Sequence, residues 1–358
     1  MGRKTTIKDI ARIASVSHTT VSRALNNQSR IRNETKEKIL SIAKELNYSP
    51  NFIARSLVMK RSRTLGLVIT TIANPFYIEL AQGIEATSRK LGYNIILCST
   101  QSDLETEKLY IDMLRSKGVD GIIFTSAHMG DPNIVELAEE GFPIMLVNRK
   151  TYHPVVKEKV DYVGIDNIQG GFWAVEHLIR LGHQRIGIIG GSSESSVGFE
   201  RLEGGKKALA IYGLKQIDDY FLEGDFLKES GYRGGMKFSK MADPPTAIFA
   251  TNDYMALGAY QAVVEEGLKV PEEMAIVGFN DIEFTAMKGV ELTTIGQKKY
   301  EMGTLSVETL VEKIEGRKPG PSREIILKPE LIIRKTCGFY PKGYQKNGLE
   351  QGVDSQLH

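Results

Sequence analysis

The stretch Thr6-Ile7-Lys8-Asp9-Ile10-Ala11-Arg12-Ile13-Ala14-Ser15-Val16-Ser17-His18-Thr19-Thr20-Val21-Ser22-Arg23-Ala24-Leu25 sets the reading of the chain. Thr6 and Asp9 have the spacing of a helix capping box, with aspartate in place of the usual glutamate. Ile7, Ile10, Ala11 and Ala14 then recur on one helical face. Ser15-Val16-Ser17 interrupts the pattern, and Ser17 is a good N-cap for a second helix over 18–25. There Val21 and Leu25 face inward, and His18, Thr19, Ser22 and Arg23 face out. Asn26, Asn27 and Ser29 mark a loop, and Asn33 is placed to cap a third helix whose buried stripe is Ile39, Ile42, Ala43 and Leu46. Three short helices with a tight turn between the first two predict a helix-turn-helix. Hydroxyls, an imidazole and a guanidinium on the outward face of the second helix suit base edges in a major groove, and Arg23 has the two donors that a guanine accepts.

Charge agrees with that reading. The 358 residues carry a formal net charge of only +2. Residues 1–64, however, hold 14 Lys and Arg against 4 Asp and Glu, whereas the rest holds 32 against 40. A basic module for nucleic acid joined to an acidic core is expected. Ser49-Pro50-Asn51 opens a short segment, Phe52 to Met59, that fits one helical turn or two and is too small to stand alone. It places Arg55 beside Leu57, an arrangement that suits an apolar wedge in a minor groove, with Lys60, Arg61 and Arg63 near phosphates. The same pattern would also serve as an interdomain linker helix.

From Leu65 onward short apolar runs alternate with helical patterns. The runs are 65–69, 94–97, 121–124, 144–147, 185–189, 247–250 and 275–279, most of them about 25–30 residues apart, as repeated βα units require. A wider gap between Val147 and Arg185 holds a further candidate strand, Tyr162 to Ile165, and reads as the switch between two lobes. The fold class expected is therefore an all-α helix-turn-helix followed by a two-lobed α/β core of mostly parallel sheets. Ligands bind beyond the carboxyl ends of such strands. Polar residues stand there: Asn74-Pro75-Phe76-Tyr77, Asn148-Arg149, Asp166, Asn252-Asp253 and Asn280-Asp281. Each alone is as well explained by a turn or helix cap. Together they point to a cleft for a small polar ligand.

The chain resembles the lactose/galactose-repressor (LacI/GalR) family of bacterial regulators. The resemblance runs through Thr6-Ile7-Lys8-Asp9-Ile10-Ala11, Val16-Ser17 and Thr20-Val21-Ser22-Arg23-Ala24-Leu25-Asn26. It continues through Leu46-Asn47-Tyr48-Ser49-Pro50-Asn51 and Ala54-Arg55-Ser56-Leu57, and extends over roughly residues 5–338. Serine at Ser15 departs from the glycine usual in the family. The resemblance implies a type I periplasmic-binding-protein-like core and a sequence-specific regulator, read here as a repressor. It implies base reading by His18, Thr19 and Arg23, with Thr6, Ser17, Thr20, Ser22 and Asn26 completing the helix-turn-helix contacts. Asn51, Ala54, Arg55 and Leu57 form the hinge contacts, the leucine entering the minor groove at the centre of a palindromic operator. In the cleft it implies effector contacts at Asn148, Arg201, Asn252 and Asn280, with the rings of Phe76, Tyr77 and Phe226 against the ligand; Asn74, Arg149 and Asp166 are counted with them. Arg201 stands in the family's arginine segment, Phe199-Glu200-Arg201-Leu202-Glu203-Gly204. Asn148 and Asn280 stand where many members have aspartate. Gly224-Asp225-Phe226 with Glu229-Ser230-Gly231-Tyr232 is similar to the purine-repressor branch but too short to choose a purine over a sugar. A homodimer is implied, and the polar tail without heptads gives no helix for a tetramer.

The organisation read from the sequence is a DNA-binding domain over 1–49, a hinge over 50–63, an effector-binding and dimerisation core over 64–340 and a disordered tail over 341–358. Among other functions, an enzyme finds little support. The loop Gly190-Gly191-Ser192-Ser193 lacks the Walker lysine and the dinucleotide glycine spacing. There is no nucleophile elbow. His177 and His183 are wrongly spaced for one helical face, and no cysteine cluster joins them, so neither a catalytic residue, a metal nor a cofactor is expected. A sugar-binding transport protein would share the core design. The start MGRKTTIKDIARIA has no apolar run of a signal peptide, no run of about eighteen apolar residues follows, and Cys98 and Cys337 read as reduced thiols. A cytoplasmic location without membrane contact is expected.

Overall fold

The computed structural model describes residues 5–25, 31–46, 48, 61–317 and 320–338. The chain divides into two compact units at Ser62/Arg63.

In the first unit, α1 (Ile7–Ala14), α2 (His18–Leu25) and α3 (Asn33–Glu45) enclose a small core of Ile10, Ala14, Val21, Ala24, Ile39 and Ile42. The capping box forms: Thr6 Oγ1 donates to Asp9 Oδ2 at 2.6 Å, and the Thr6 amide donates to the same carboxylate at 2.9 Å. The Ser17 hydroxyl accepts from the Thr20 amide at 3.1 Å and so caps α2 as expected. Asn33 does not cap α3. It is the first helical residue, and Arg32 occupies the N-cap without a side-chain bond. Ser15 closes the turn at φ 59°, in the left-handed region that glycine adopts freely and a residue with a Cβ does not. That conformation costs an L-residue about 1–2 kcal/mol. Ser15→Gly is therefore expected to stabilise the helix-turn-helix by about 1 kcal/mol, read as a higher urea midpoint of its unfolding at unchanged slope.

In the second unit each lobe is built on a six-stranded sheet. The first has the order β11-β5-β4-β3-β1-β2, all parallel: β1 (Thr64–Ile69), β2 (Asn94–Ser99), β3 (Gly121–Phe124), β4 (Ile144–Val147), β5 (Asp161–Ile165) and β11 (Glu324–Leu327). The second has the order β12-β10-β9-β8-β6-β7: β6 (Ile186–Ile189), β7 (Phe221–Leu222), β8 (Ala247–Ala250), β9 (Ala275–Asn280), β10 (Thr293–Gly296) and an antiparallel edge, β12 (Glu330–Ile332). Every residue of β1, β3, β4, β6, β8 and β9 is buried, because helices cover both faces of a parallel sheet, and this is why they read as unbroken apolar runs. The candidate strand at 162–165 exists and belongs to the first sheet. The chain crosses directly after it, as expected from the wide gap. Two further crossings were not read from the sequence. One joins β10 to the helix Lys299–Ile314, which packs on the first lobe, and the other joins β11 to β12. Among the described residues no helix is long and apolar enough to span a membrane.

Glycine sets how closely the helices approach. A Cβ at Gly204, in the helix Ser196–Ile211, would strike the Ile168 carbonyl, and one at Gly171, in the helix Asn167–Arg180, would strike the Arg201 carbonyl. This contact fixes the helix that carries Arg201.

Candidate functional site

Ten residues line a narrow cavity of about 20 Å³ between the lobes. Asn74, Phe76, Tyr77, Asn148 and Arg149 come from the first lobe; Val197, Arg201, Phe226, Asn252 and Asn280 come from the second. All but the helix-borne Phe76, Tyr77, Val197 and Arg201, and Phe226 before its helix, follow strands β1, β4, β8 and β9 or end them. The sequence-derived set is thus brought together with one exception. Asp166 is exposed at the first crossing, and its carboxylate caps the helix Asn167–Arg180 by accepting from the Gln169 amide at 2.8 Å, so it is not on the cavity wall. Val197 was missed, although it lies one helical turn before Arg201 and that spacing puts both on one face.

Arg201, only 2 % exposed, is the centre of the second-lobe wall. Its Nε donates to Asn167 Oδ1 at 2.9 Å, and its Nη1 donates to the Thr251 carbonyl at 2.8 Å and to Asn280 Oδ1 at 3.2 Å. The guanidinium lies 3.8 Å from the centroid of the Phe279 ring. Burial pulls its pKa down to about 9, against the pull of Asp253 and Glu200, so it remains a cation at neutral pH. Asn280 also accepts from Gln297 Nε2 at 2.6 Å, and its own carbonyl accepts from Lys299 Nζ at 2.9 Å.

Phe226 is held by two asparagines. Its backbone has φ 67°, a costly conformation for a bulky side chain. Its carbonyl accepts from Asn252 Nδ2 at 2.9 Å within its own lobe and from Asn74 Nδ2 at 3.4 Å across the cleft. A Cβ at Gly191 would strike the Phe226 ring, so the absence of a side chain in the loop Gly190-Gly191-Ser192-Ser193 makes room for an aromatic wall. Its neighbour Ser193 donates its amide to the Glu223 carboxylate at 2.8 Å. Both asparagine oxygens serve as turn and cap acceptors: Asn74 Oδ1 takes the Phe76 amide at 3.0 Å, and Asn252 Oδ1 takes the Met255 amide at 2.8 Å. The cap reading of these asparagines thus holds, and the same two residues stand on the cavity wall.

Further contacts close the lobes over the cavity. The Met129 amide donates to the Glu194 carbonyl at 2.9 Å, the Lys150 amide to Ser196 Oγ at 2.9 Å, and the Tyr152 hydroxyl to Glu200 Oε1 at 2.9 Å. His177, expected to be structural, is buried, and burial lowers its pKa to about 4. His183 Nδ1 meets Thr246 Oγ1 at 3.0 Å.

In the first unit, α2 presents His18, Thr19 and Arg23 as exposed side chains, with Ser22 and Thr20 half-buried. Ser17 and Thr20 share a hydroxyl–hydroxyl bond of 2.9 Å, and the Thr6 hydroxyl is committed to its capping box. Arg63, read from the sequence as facing phosphate, is tied to the core instead: it pairs with Glu315 at 3.3 Å and lies over the Tyr93 ring at 5.0 Å. Asn26, Asn51, Ala54, Arg55 and Leu57 fall outside the described residues.

An exposed polar recognition helix and a closed two-lobed binding core define a ligand-linked DNA-binding regulator. Residues 62–335 match periplasmic binding proteins and sugar binding domain of LacI family, and residues 6–51 match bacterial regulatory proteins, lacI family. The chain belongs to the LacI family of bacterial regulatory proteins. It is 35 % identical over 332 residues to the transcriptional repressor PurR of Aliivibrio salmonicida, covering 92 % of this chain and 98 % of the relative. It is 36 % identical over 334 residues to the transcriptional regulator DegA of Bacillus subtilis, covering 92 % and 97 %. The lac repressor dimer bound to operator and the anti-inducer ONPF superposes with a TM-score of 0.84 at 29 % identity, covering 94 % of this chain and 99 % of that one. The protein is a transcription regulator of this family and not an enzyme.

Proposed function

We propose that the protein is a transcriptional repressor whose operator affinity is set by a small polar effector held between the lobes. The observation that carries this reading is the joining, in one chain, of the exposed His18-Thr19-Arg23 face to a cleft closed by contacts from both lobes. The organisation is a DNA-binding domain over 1–49, a hinge over 50–63 and a core over 64–340, followed by a tail over 341–358. The protein works in the cytoplasm as a homodimer, whose two-fold symmetry matches a palindromic operator. Arg23 reads a base, and Asn26, Asn51, Ala54, Arg55 and Leu57 complete the DNA contacts. Asn148, Arg149, Arg201 and Asn280 meet the effector, with Phe76, Tyr77 and Phe226 as apolar walls. Opening or closing the lobes changes the spacing of the hinges and so couples the two sites; by linkage, operator DNA changes effector affinity by the same factor.

The test is fluorescence anisotropy against DNA upstream of the protein's own gene, with and without a panel of sugars, sugar phosphates and purines. Tight binding that one compound strengthens or weakens is expected. Binding no tighter than to random DNA with every compound, repeated in a genome-wide selection, would remove the reading. On the operator found, Arg23→Ala is expected to cost about 1–3 kcal/mol and to relax selectivity at one base pair. An equal loss on random DNA would assign Arg23 to phosphate instead.

A further inference from the structure

The cleft holds more positive charge than the protein neutralises. Arg149 and Arg201 both line the cavity, 6 % and 2 % exposed, and no lining residue is an aspartate or glutamate. Arg201 is supported by three hydrogen bonds and by the fields of Asp253 and Glu200. Arg149 has no such support. Its guanidinium makes no hydrogen bond or ion pair with any described residue, and its Nε is buried without a partner. It lies over the face of Phe226, 5.1 Å from the ring centroid, and the nearby Tyr77 favours its charge without offsetting burial. A cation over an aromatic face gains about 2 kcal/mol when desolvated, less than the several kcal/mol that burying an unpaired charge costs.

The surrounding carboxylates are committed elsewhere. Glu200 accepts from Tyr152 at 2.9 Å and from Asn167 at 3.1 Å and pairs with Lys150 at 3.2 Å. Asp253 accepts from Thr294 at 2.5 Å and from the Ile282 amide at 2.9 Å. Asp281 pairs with Arg334 at 2.7 Å. Among the described residues, none supplies the counter-charge of Arg149. A second unpaired atom narrows its chemistry. Asn148 Oδ1 is buried on the same wall without a partner and asks for a hydroxyl or N–H donor. With the lobes in this position the cavity, about 20 Å³, has room for about one water, so a ligand enters only as the lobes part.

We propose that the effector is a small anion, a polyhydroxylated carboxylate or phosphate such as a sugar acid or sugar phosphate, whose charged group pairs with Arg149 while a hydroxyl donates to Asn148. The inference rests on reading the cleft as the effector site and adds the charge of the ligand to it. A planar guanidinium takes either oxyanion through two parallel hydrogen bonds, so the two chemistries share one seat.

The test compares thermal melts of the full chain with those of Arg149→Gln in matched compounds at millimolar concentration. The pairs are glucose with glucuronate, glucose with glucose 6-phosphate and galactose with galacturonate, with inorganic phosphate alone as a further probe. Without ligand, Arg149→Gln is expected to melt above the parent, because an unpaired buried charge is gone. At least one anion is expected to raise the parent's midpoint beyond its neutral partner, with the excess lost in the variant and affinity by calorimetry at least tenfold weaker. Which arm responds separates carboxylate from phosphate, and Arg149→Met repeats the test should the glutamine variant fail to fold. The proposal is overturned by a neutral sugar that stabilises as much as its acid, by no excess for any anion, or by an excess that persists in the variants. A neutral compound that shifts operator affinity would remove the anionic effector and leave the repressor reading standing. An anion that binds through Arg149 without changing operator affinity would do the reverse.

Discussion

Arg201→Ala is expected to destabilise the core by roughly 3–5 kcal/mol and to abolish the effector response while operator binding in the absence of effector is retained. The magnitude follows from what the side chain holds. Removing one partner of a buried charged network costs about 3–5 kcal/mol, because the groups left behind stay desolvated. Here those groups are Asn167 Oδ1, the Thr251 carbonyl and Asn280 Oδ1, together with the buried Asp253 and Glu200, which lose a compensating cation. Urea unfolding of the full chain measures the first effect, and anisotropy on operator DNA with the effector measures the second. Arg201→Lys should recover part of the stability by keeping the charge, yet it cannot reproduce the fork that reaches three acceptors on two sides. A core as stable as the parent, or an unchanged effector response, would show that the network is incidental.

The second large effect is expected at a residue with no side chain. Gly204→Val should cost about 3 kcal/mol or more, at or above the upper end of overpacking penalties, and should weaken effector affinity without touching the ligand. The new Cβ would meet the Ile168 carbonyl and lie 2.8 Å from the Phe172 amide nitrogen, and backbone cannot swing aside. The helix Ser196–Ile211 must then shift, and it carries Val197 and Arg201 into the cavity. Gly205→Ala is the control. Its Cβ would meet only the side-chain ends of Ile188 at 3.0 Å and Val175 at 3.1 Å, which yield, so a smaller loss is expected. Equal losses at the two positions would assign the effect to helix content rather than to the close approach.

The helix-turn-helix was legible because its signals are local. A capping box spans four residues, an apolar face repeats within a turn, and Ser17 caps its own helix; each interaction lies within a few positions along the chain. Even so, Asn33 misled the reading of α3, since its preference for a cap competes with helix geometry and here the boundary falls one residue earlier. In the core, strands buried on both faces announced themselves as apolar runs. Of the half-exposed edges, β2 kept an apolar run, whereas β7, β11 and β12 are only two to four residues long and gave none that stood out. β10, though fully buried, was missed as well: it is only four residues long, two of them threonine.

By itself the sequence determined the basic helical module, the two-lobed parallel core and seven of the ten residues on the cavity wall, since polar residues after apolar runs fall at strand ends in any such fold; Arg201 and Phe226 were added by the family resemblance. Only the tertiary structure decided what those residues do. Asn252 and Asn74 meet at the carbonyl of Phe226, 26 and 152 positions away, and Arg201 reaches Asn280 across 79 positions. Such bonds depend on three crossings between lobes and on glycine contacts that let two helices touch. Whether a buried arginine is balanced is likewise invisible in sequence. Arg149 and Arg201 are the same residue type, and they differ because folding gives one its acceptors and charge partners and leaves the other facing the cavity.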